Sequence, residues 1–200
     1  MNKPKIFNNL SLSPLQQQQV LEYVKADVEG NQRMRLTGIQ DPNEIIDKLV
    51  IPTLNLGVTL PSQGDFLDIG SGAGNPGLLL KIIHPRWRGV LVERSHKKAR
   101  FLQELVIQFG YDEMEVVPRD FREFALKCHA PFDFVFSRGV RIEESMIPLI
   151  FRCLRVGGRY FFYGERNVPV VKATTENADF VLSQSVEGWR EVKRSVSRGT

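Results

Sequence analysis

Four glycines and one aspartate lie between two apolar runs in the segment 66–80, FLDIGSGAGNPGLLL. The glycines are Gly70, Gly72, Gly74 and Gly77, and the aspartate is Asp68. Glycine lets a backbone approach a ligand closely and adopt positive φ without strain. The spacing from Gly72 to Gly77 also fits the G-x-G-x-x-G loop of dinucleotide-binding proteins, although this spacing alone is weak evidence. The segment therefore predicts a loop that holds a nucleoside cofactor.

Asp68 and Pro76 indicate which class of cofactor such a loop favours. A helix that begins near Pro76 lacks one of the N–H donors that bind a pyrophosphate. The Asp68 carboxylate would repel a phosphate, whereas it would attract the sulfonium and ammonium groups of S-adenosylmethionine. A unit pair at ~4 Å gains roughly 4 kcal/mol at an effective dielectric constant near 20, before desolvation is subtracted. The loop therefore favours S-adenosylmethionine over the dinucleotide of an oxidoreductase.

Three further side chains could complete a nucleoside site. Glu93 ends the predicted second strand, where a carboxylate accepts hydrogen bonds from ribose hydroxyls in both cofactor classes. Asp120 follows the third strand and could bind the adenine amino group, with Phe121 against the ring. Each residue also has a purely structural interpretation: Asp68 could cap the next turn, Glu93 could be a solvated strand end, and Phe121 could belong to the core. Their order at successive strand ends favours the nucleoside site.

Strand and helix patterns alternate from Asp65 onwards. Predicted strands cover 65–69, 89–93, 114–118, 132–137 and 158–163, with predicted helices at 76–83, 96–109 and 142–154. This alternation predicts right-handed crossovers, a mostly parallel sheet and helices on both faces. Two further strands, 180–186 and 189–196 around Glu187-Gly188, have no helix between them and predict a C-terminal antiparallel hairpin. Because ligands bind at the carboxyl ends of parallel strands, the glycine loop is the expected site.

Helix signals dominate the chain before the sheet. The pair Ser13-Pro14 begins a helix that Gly30 is expected to end. Asp41-Pro42 repeats the start signal. We therefore predict a helical extension over residues 1–60 and an α/β domain over residues 61–200.

The composition excludes several classes of protein. The chain has 200 residues, of which 42% are hydrophobic, a formal net charge of +4 and a pI of about 9.2. These values suit one globular domain and permit a nucleic-acid partner. Cys128 and Cys153 have neither metal-site nor redox-motif spacing, so we expect no metal site. No apolar run reaches the ~20 residues that span a bilayer, and we expect a cytoplasmic protein without a membrane partner.

The glycine segment resembles one family of methyltransferases. Its form FLDIGSGAGNPG, with a Pro-Gly pair closing the loop, is similar to that of the RsmG-type (GidB-type) guanine N7-methyltransferases of small-subunit ribosomal RNA. Lys98 with Phe101-Leu102 and the segment 132–138, FDFVFSR, resemble later motifs, and the resemblance covers about residues 13–165. It implies a Rossmann-like class I methyltransferase with a seven-stranded sheet, an S-adenosylmethionine donor, and ribosomal RNA or the small ribosomal subunit as partner.

The loop chemistry and the resemblance together define the expected cofactor site. The expected cofactor contacts are Asp68, Gly70, Ser71, Gly72, Gly74, Asn75, Glu93, Asp120, Phe121 and Arg138. Arg138 is also expected to position the substrate, toward an RNA phosphate or a guanine edge, unless it forms a salt bridge with a nearby carboxylate. Guanine N7 carries a lone pair and no proton, so its methylation needs no general base and depends on alignment.

Four positions depart from the family's pattern. The family usually has Asn where this chain has Arg35, and His and Asp where it has Leu49 and Pro52. A Lys-Gly pair is expected after the fifth strand, where Tyr163-Gly164-Glu165 stands instead. These departures leave two alternatives open. One is a methyltransferase of the same fold with another RNA or a small-molecule substrate, and the other is a non-catalytic RNA-binding relative.

Overall fold

The structure is a computed structural model that describes residues 5–7, 10–128, 132–163, 180–186 and 188–194. Glu165 and Glu187, and the last two residues of the predicted strand 189–196, lie outside the described residues. Within the described ranges no helix is long and apolar enough to cross a membrane. In the same ranges no group of three or more His, Cys, Asp or Glu side chains is placed to hold a metal ion.

The strands form one mixed sheet. They are β1 (Asp65–Ile69), β2 (Arg88–Val92), β3 (Met114–Val117), β4 (Phe132–Arg138), β5 (Leu154–Tyr163), β6 (Phe180–Val186) and β7 (Trp189–Arg194). Their order is β3-β2-β1-β4-β5-β7-β6. Strands β1 to β5 are parallel, and β7 pairs antiparallel with both β5 and β6. The predicted α/β class, a mostly parallel sheet with an antiparallel C-terminal hairpin, is confirmed.

Helices cover both faces of this sheet. They are α1 (Pro14–Met34), α2 (Pro42–Ile45), α3 (Ile51–Gly57), α4 (Gly77–Ile83), α5 (His96–Gln108), α6 (Phe121–Leu126) and α7 (Ile147–Cys153), with a π-helical turn at Ile46–Val50 and 3₁₀ turns at Lys5–Phe7 and Glu144–Met146. The predicted helix 142–154 is too long at both ends, because its first turn is 3₁₀ and Leu154 already pairs with β4. The prediction missed the early start of β5 because Gly157-Gly158 interrupts its strand pattern.

The start of α1 agrees with the sequence prediction, whereas its end does not. The Ser13 hydroxyl accepts from the Gln16 N–H at 3.3 Å, and the Gln16 side chain accepts from the Ser13 N–H at 2.9 Å. Gly30 does not end the helix, which continues to Met34. A Cβ at Gly30 would lie 2.7 Å from a methyl group of Leu36 and 2.9 Å from the ring of Phe101. Glycine is therefore needed there for close packing.

Arg35 ends α1 in the left-handed region, with φ 50° and ψ 59°. This conformation costs most residues about 1–2 kcal/mol, although Gly and Asn tolerate it. The Arg35 side chain is exposed. The departure at this position therefore concerns how the helix ends.

Replacing Arg35 with glycine is expected to raise the free energy of unfolding by about 1 kcal/mol, because glycine adopts positive φ without strain. The melting temperature should rise by roughly 2–4 °C for a chain of this size. The matched control is Arg33→Gly in the last regular turn of α1, which should instead lose about 1 kcal/mol. Denaturant unfolding of both variants is the measurement, and a loss of stability in the Arg35 variant would contradict the strain argument.

The helical extension and one face of the sheet share a single core. Val20 of α1 and Leu54 of α3 belong to the same buried cluster as Phe66 of β1 and Phe136 of β4. A second cluster lies on the opposite face, between the sheet and α6 and α7. Because α1 and α3 pack on the sheet, the extension reaches the carboxyl end of β1. The predicted division between residues 1–60 and 61–200 stays a prediction.

Candidate functional site

The glycine loop between β1 and α4 follows the switch point of the sheet, because β2 and β4 lie on opposite sides of β1. Gly70, Gly72 and Gly74 have φ values of 69°, 55° and 96°, a region that L side chains rarely adopt. The Gly70 N–H donates to the Val92 carbonyl at 2.8 Å, which ties the loop to the end of β2. The loop therefore needs its glycines for conformation.

Glu93 holds the loop from the end of β2. Its carboxylate accepts from the Gly72 N–H at 2.9 Å and from the Ser95 N–H at 2.8 Å. The residue is buried, so the interpretation of Glu93 as a solvated strand end is wrong. Each oxygen keeps a further lone pair, which leaves capacity for a ribose hydroxyl.

Asp68 is fully buried at the end of β1, and its two oxygens differ. Oδ2 accepts from the Gly77 N–H at 3.1 Å, whereas Oδ1 has no hydrogen-bond partner among the described residues. A Cβ at Gly77 would lie 2.8 Å from Oδ2, so this glycine is needed for the contact. Burial raises the pKa of Asp68 to about 7, against the lowering effects of the Gly77 N–H and of the nearby Ser71 hydroxyl, and the charge of Glu93 adds a smaller increase. The carboxylate thus occupies the N-terminus of α4, where a pyrophosphate would otherwise bind.

Ser71 and Asn75 brace the loop from within. The Ser71 hydroxyl donates to the Asp68 carbonyl at 3.0 Å. The Asn75 side chain donates to the Leu49 carbonyl at 2.9 Å and accepts from the Thr53 hydroxyl at 2.9 Å. Both Asn75 contacts join the loop to the helical extension. Asn75 therefore has a structural role whether or not it also touches a cofactor.

Arg138, at the end of β4, is turned toward the helical extension. Its guanidinium donates to the carbonyls of Lys48 and Leu49 and to the Thr53 hydroxyl. It also lies 3.7 Å above the centre of the Tyr163 ring. Burial lowers the pKa of Arg138 to about 10. The guanidinium therefore remains charged at neutral pH and links the sheet to the extension.

Pro52 explains why one of these carbonyls accepts from Arg138. Proline has no N–H, so it cannot donate to the carbonyl of Lys48, four residues earlier in the helix. That carbonyl accepts from Arg138 instead. The hydroxyl of Thr53, the next residue, lies 2.9 Å from both the Leu49 carbonyl and the Asn75 side-chain oxygen, which share its single proton. The departures at Leu49 and Pro52 thus lie in the contact between the extension and the sheet.

Asp120 and Phe121 lie beyond β3, as the sequence predicts. Asp120 caps α6, since its side chain accepts from the Arg122 N–H at 2.8 Å. Phe121 is buried in the cluster that covers the second face of the sheet. Its ring is therefore a core side chain and not an open platform for adenine stacking. The contact of Phe121 with adenine stays a prediction.

Sequence reasoning missed two polar side chains of α1. Tyr23 and Asp27 are fully buried, and the Tyr23 hydroxyl and both Asp27 oxygens have no partner among the described residues. Burial raises the pKa of Asp27 to about 7. Burial also raises the pKa of Tyr23, and the nearby charge of Asp27 adds to the effect. An acid on the apolar face of an amphipathic helix was the available signal.

A cavity of about 770 Å³ lies at the amino ends of the parallel strands. Its lining includes Asp65, Asp133, Arg159 and Glu191. Asp65 and Asp133 pair with nearby arginines, and Arg159 lies 3.9 Å from Glu191. Because parallel sheets bind their ligands at the carboxyl ends of the strands, this cavity is not the expected cofactor site.

The residues around the glycine loop fit a cationic nucleoside. The free Oδ1 of Asp68 is an orphaned acceptor for a positive group, and Glu93 can still accept from hydroxyls. The N-terminus of α4 is already taken by a carboxylate, which disfavours a phosphate. This set of acceptor oxygens therefore matches S-adenosylmethionine better than a dinucleotide.

Comparison with known proteins gives the family directly. The family model GidB, rRNA small subunit methyltransferase G, matches residues 16–194. A ribosomal RNA small subunit methyltransferase G from Streptococcus pneumoniae serotype 19F is 30% identical over 197 residues, which cover 92% of this chain and 83% of the relative. The relative of that name from Nitrosospira multiformis is 35% identical over 142 residues, or 70% of this chain and 63% of the relative.

Solved structures support the fold at low sequence identity. A precorrin-6y C5,15-methyltransferase from Geobacter metallireducens has a TM-score of 0.57 and 16% identity, covering 82% of this chain and 92% of that one. A ribosomal protein L11 methylase from Lactobacillus delbrueckii has a TM-score of 0.56 and 14% identity, covering 80% and 81%. The resemblance seen in the glycine segment is confirmed: this chain belongs to the rRNA small subunit methyltransferase G family.

Proposed function

We propose that this chain transfers a methyl group from S-adenosylmethionine to N7 of a guanine in small-subunit ribosomal RNA. The observation that carries the proposal is the buried Asp68 carboxylate, whose free Oδ1 lies beside a glycine loop in a chain of this family. A buried acceptor without a partner favours a cationic ligand. Among the proposed cofactor contacts, Glu93 would accept from the ribose.

The proposed roles of the remaining contacts follow from their environments. The cofactor would contact the backbone of the glycine loop, whose shape is set by Gly70, Ser71, Gly72 and Gly74. Asn75 would hold the loop against the extension. Asp120 would bind the adenine amino group of the cofactor. Arg138 would set the position of the extension, and through it the approach of the substrate.

The chemistry needs no general base, because guanine N7 has a lone pair and no proton to lose. The rate then depends on alignment of N7 with the methyl carbon and sulfur, for which effective molarities of ~10⁵–10⁸ M are typical. The links from Arg138 and Asn75 to the extension support such alignment, since they fix the extension relative to the loop.

A changed substrate is the second candidate, and the departures from the family pattern are its only support. Arg35 ends a helix, and Leu49 and Pro52 lie in the contact between the extension and the sheet. These positions lie at a helix end and in a contact between helices and sheet, which gives the second candidate no support beyond the sequence pattern. Glu165 lies outside the described residues.

Nucleoside mass spectrometry of ribosomal RNA, from cells with and without the protein, tests the proposal. We expect one 7-methylguanosine of the small subunit to be absent without the protein and restored by the purified protein with S-adenosylmethionine. Binding to RNA should weaken steeply with added salt, because phosphate contacts release counterions. Unchanged 7-methylguanosine together with salt-independent turnover of a small molecule would favour the second candidate.

A further inference from the structure

Four buried polar atoms of α1 and β1 have no hydrogen-bond partner among the residues that the structure describes. They are the Tyr23 hydroxyl, both oxygens of Asp27, and Oδ1 of Asp68. All three residues have 0% exposure. A buried carboxylate stays ionised at neutral pH only when a cation or several donors face it, and otherwise its pKa rises, as for both of these acids. Within the described residues Asp27 has no such partner and Asp68 has only the Gly77 N–H, so a positive group would stabilise both in the ionised form.

Tyr23 is affected electrostatically by both acids. Tyr23 and Asp27 are four residues apart on α1, so they lie on the same face of the helix. Burial is the main cause of the raised pKa of Tyr23, and the charges of Asp27, Arg138 and Asp68 also act on that pKa. In the described part of the chain Arg138 forms no ion pair with either acid, and its N–H groups donate to the carbonyls of Lys48 and Leu49 and to Thr53.

The position of α1 brings this face to the glycine loop. The Gln16 side chain donates to the carbonyls of Ile82 and Ile83 at the end of α4. The Leu36 carbonyl lies 3.8 Å from the position of a Cβ on Gly72. The helix α1 therefore runs from the end of α4 back to the loop.

The rise per residue then gives the position of each side chain along the axis of α1, relative to α4 beside it. From Gln16 to Tyr23, α1 rises about 10 Å, whereas α4 spans about 9 Å between Ile83 and Gly77. Tyr23 is thus level with the start of α4, where Asp68 accepts from Gly77. Asp27 is one turn further along, level with the loop itself.

We propose that α1 completes the donor pocket. In this inference Tyr23, Asp27 and the free oxygen of Asp68 form a subsite for the ammonium group at the amino-acid end of the methyl donor. An ammonium has three N–H donors and no acceptor, which matches two carboxylates and a hydroxyl oxygen. The inference rests on the proposed function, since that function places the donor at the glycine loop.

Two ligands can distinguish a contact with the amino-acid end of the methyl donor from contacts with its adenosine. S-adenosylhomocysteine carries the amino-acid end, whereas 5′-methylthioadenosine has the same adenosine and thioether without it. Calorimetry should show that Asp27→Asn weakens S-adenosylhomocysteine binding by about 10- to 100-fold, the range for a hydrogen bond to a charged group. Binding of 5′-methylthioadenosine should not change.

The control is Glu29→Gln, which removes a negative charge from the exposed side of the same helix. It should bind both nucleosides as the unaltered protein does. A second variant, Tyr23→Phe, keeps the ring and removes only the hydroxyl, and it should weaken S-adenosylhomocysteine binding alone.

The outcomes separate this inference from the proposed function. Equal affinity of Asp27→Asn and the unaltered protein for S-adenosylhomocysteine would overturn the inference and leave the proposed function intact. Equal weakening of both nucleosides would also overturn it, because the pocket as a whole would have been disturbed. Failure of the unaltered protein to bind either nucleoside would overturn the proposed function together with the inference.

Discussion

Replacing Asp68 with asparagine is expected to weaken S-adenosylhomocysteine binding by about 100-fold, because a buried charge–cation contact of a few kcal/mol is lost. The same change should make the ligand-free protein more stable at pH 8. Asparagine retains an oxygen that can accept from the Gly77 N–H, so the contact with α4 can survive. Weaker ligand binding together with higher stability of the ligand-free protein would show that the carboxylate is needed for binding and not for folding.

The pH dependence follows from the raised pKa of Asp68, about 7 in the folded protein against about 3.9 in an unfolded chain. Between these values the folded state holds a proton that the unfolded state releases. The stability of the ligand-free protein therefore falls as the pH rises through this window, with a contribution of about 4 kcal/mol from Asp68. Asp27, whose pKa is also about 7, adds a loss in the same window. Asp68→Asn should remove only the Asp68 contribution, and S-adenosylhomocysteine should bind the unaltered protein more tightly above pH 7 than below it.

Asp65→Asn is the matched control, since Asp65 lies at the opposite end of the same strand. Asp65 pairs with Arg88 at 2.8 Å and with Arg155 at 3.2 Å, and the Arg88 hydrogen bond holds the pKa of Asp65 below its usual value. This variant should bind S-adenosylhomocysteine normally and should be less stable than the unaltered protein at neutral pH. The difference should disappear as the pH falls through the acidic range, where Asp65 of the unaltered protein takes up a proton. Calorimetric binding within threefold of the unaltered protein for Asp68→Asn would rule out the loop assignment.

Arg138→Met is expected to lower the free energy of unfolding by about 3 kcal/mol, because methionine fills the space without providing donors. The Leu49 carbonyl would keep its contacts with Asn75 and Thr53. The Lys48 carbonyl would lose the donor that replaces the missing N–H of Pro52. The stacking on Tyr163 would also be weakened.

Arg138→Lys refines this prediction, since lysine keeps the charge but lacks the planar fork that reaches two carbonyls at once. Its loss should be intermediate, about 1–2 kcal/mol. Arg141→Met, which changes an exposed arginine three residues later, should alter stability by less than about 0.5 kcal/mol. Denaturant unfolding separates the possibilities: full stability of Arg138→Met with impaired methyl transfer would show that this arginine acts only on the substrate.

Local patterns predicted the parts of this protein that depend on neighbours in sequence. The capping box at Ser13 was readable because its partner is three residues away. The alternation of strands and helices and the turn at Gly188 were readable for the same reason. Asp68 could be assigned to a strand end because the glycines that follow it show where the strand stops.

Contacts between segments that are distant in the chain could not be predicted from the sequence. Gly30 looked like a helix end, because nothing near it in sequence shows that Leu36 and Phe101 approach its Cα. Cys128 and Cys153 lack a motif spacing, yet α6 and α7 bring their thiols into hydrogen-bond contact, which raises the pKa of Cys153.

The amino-acid sequence by itself determined the sheet, the glycine loop and the acid at the entrance of that loop, because each depends on hydrophobic periodicity or on backbone freedom over a few residues. Only the tertiary structure decided the orientation of Arg138 and the isolation of Asp27. Whether a charged side chain meets a substrate, a carbonyl or no partner depends on which helix packs across from it. That packing is settled by the whole core, in which α1 and α3 share one hydrophobic cluster with β1 and β4.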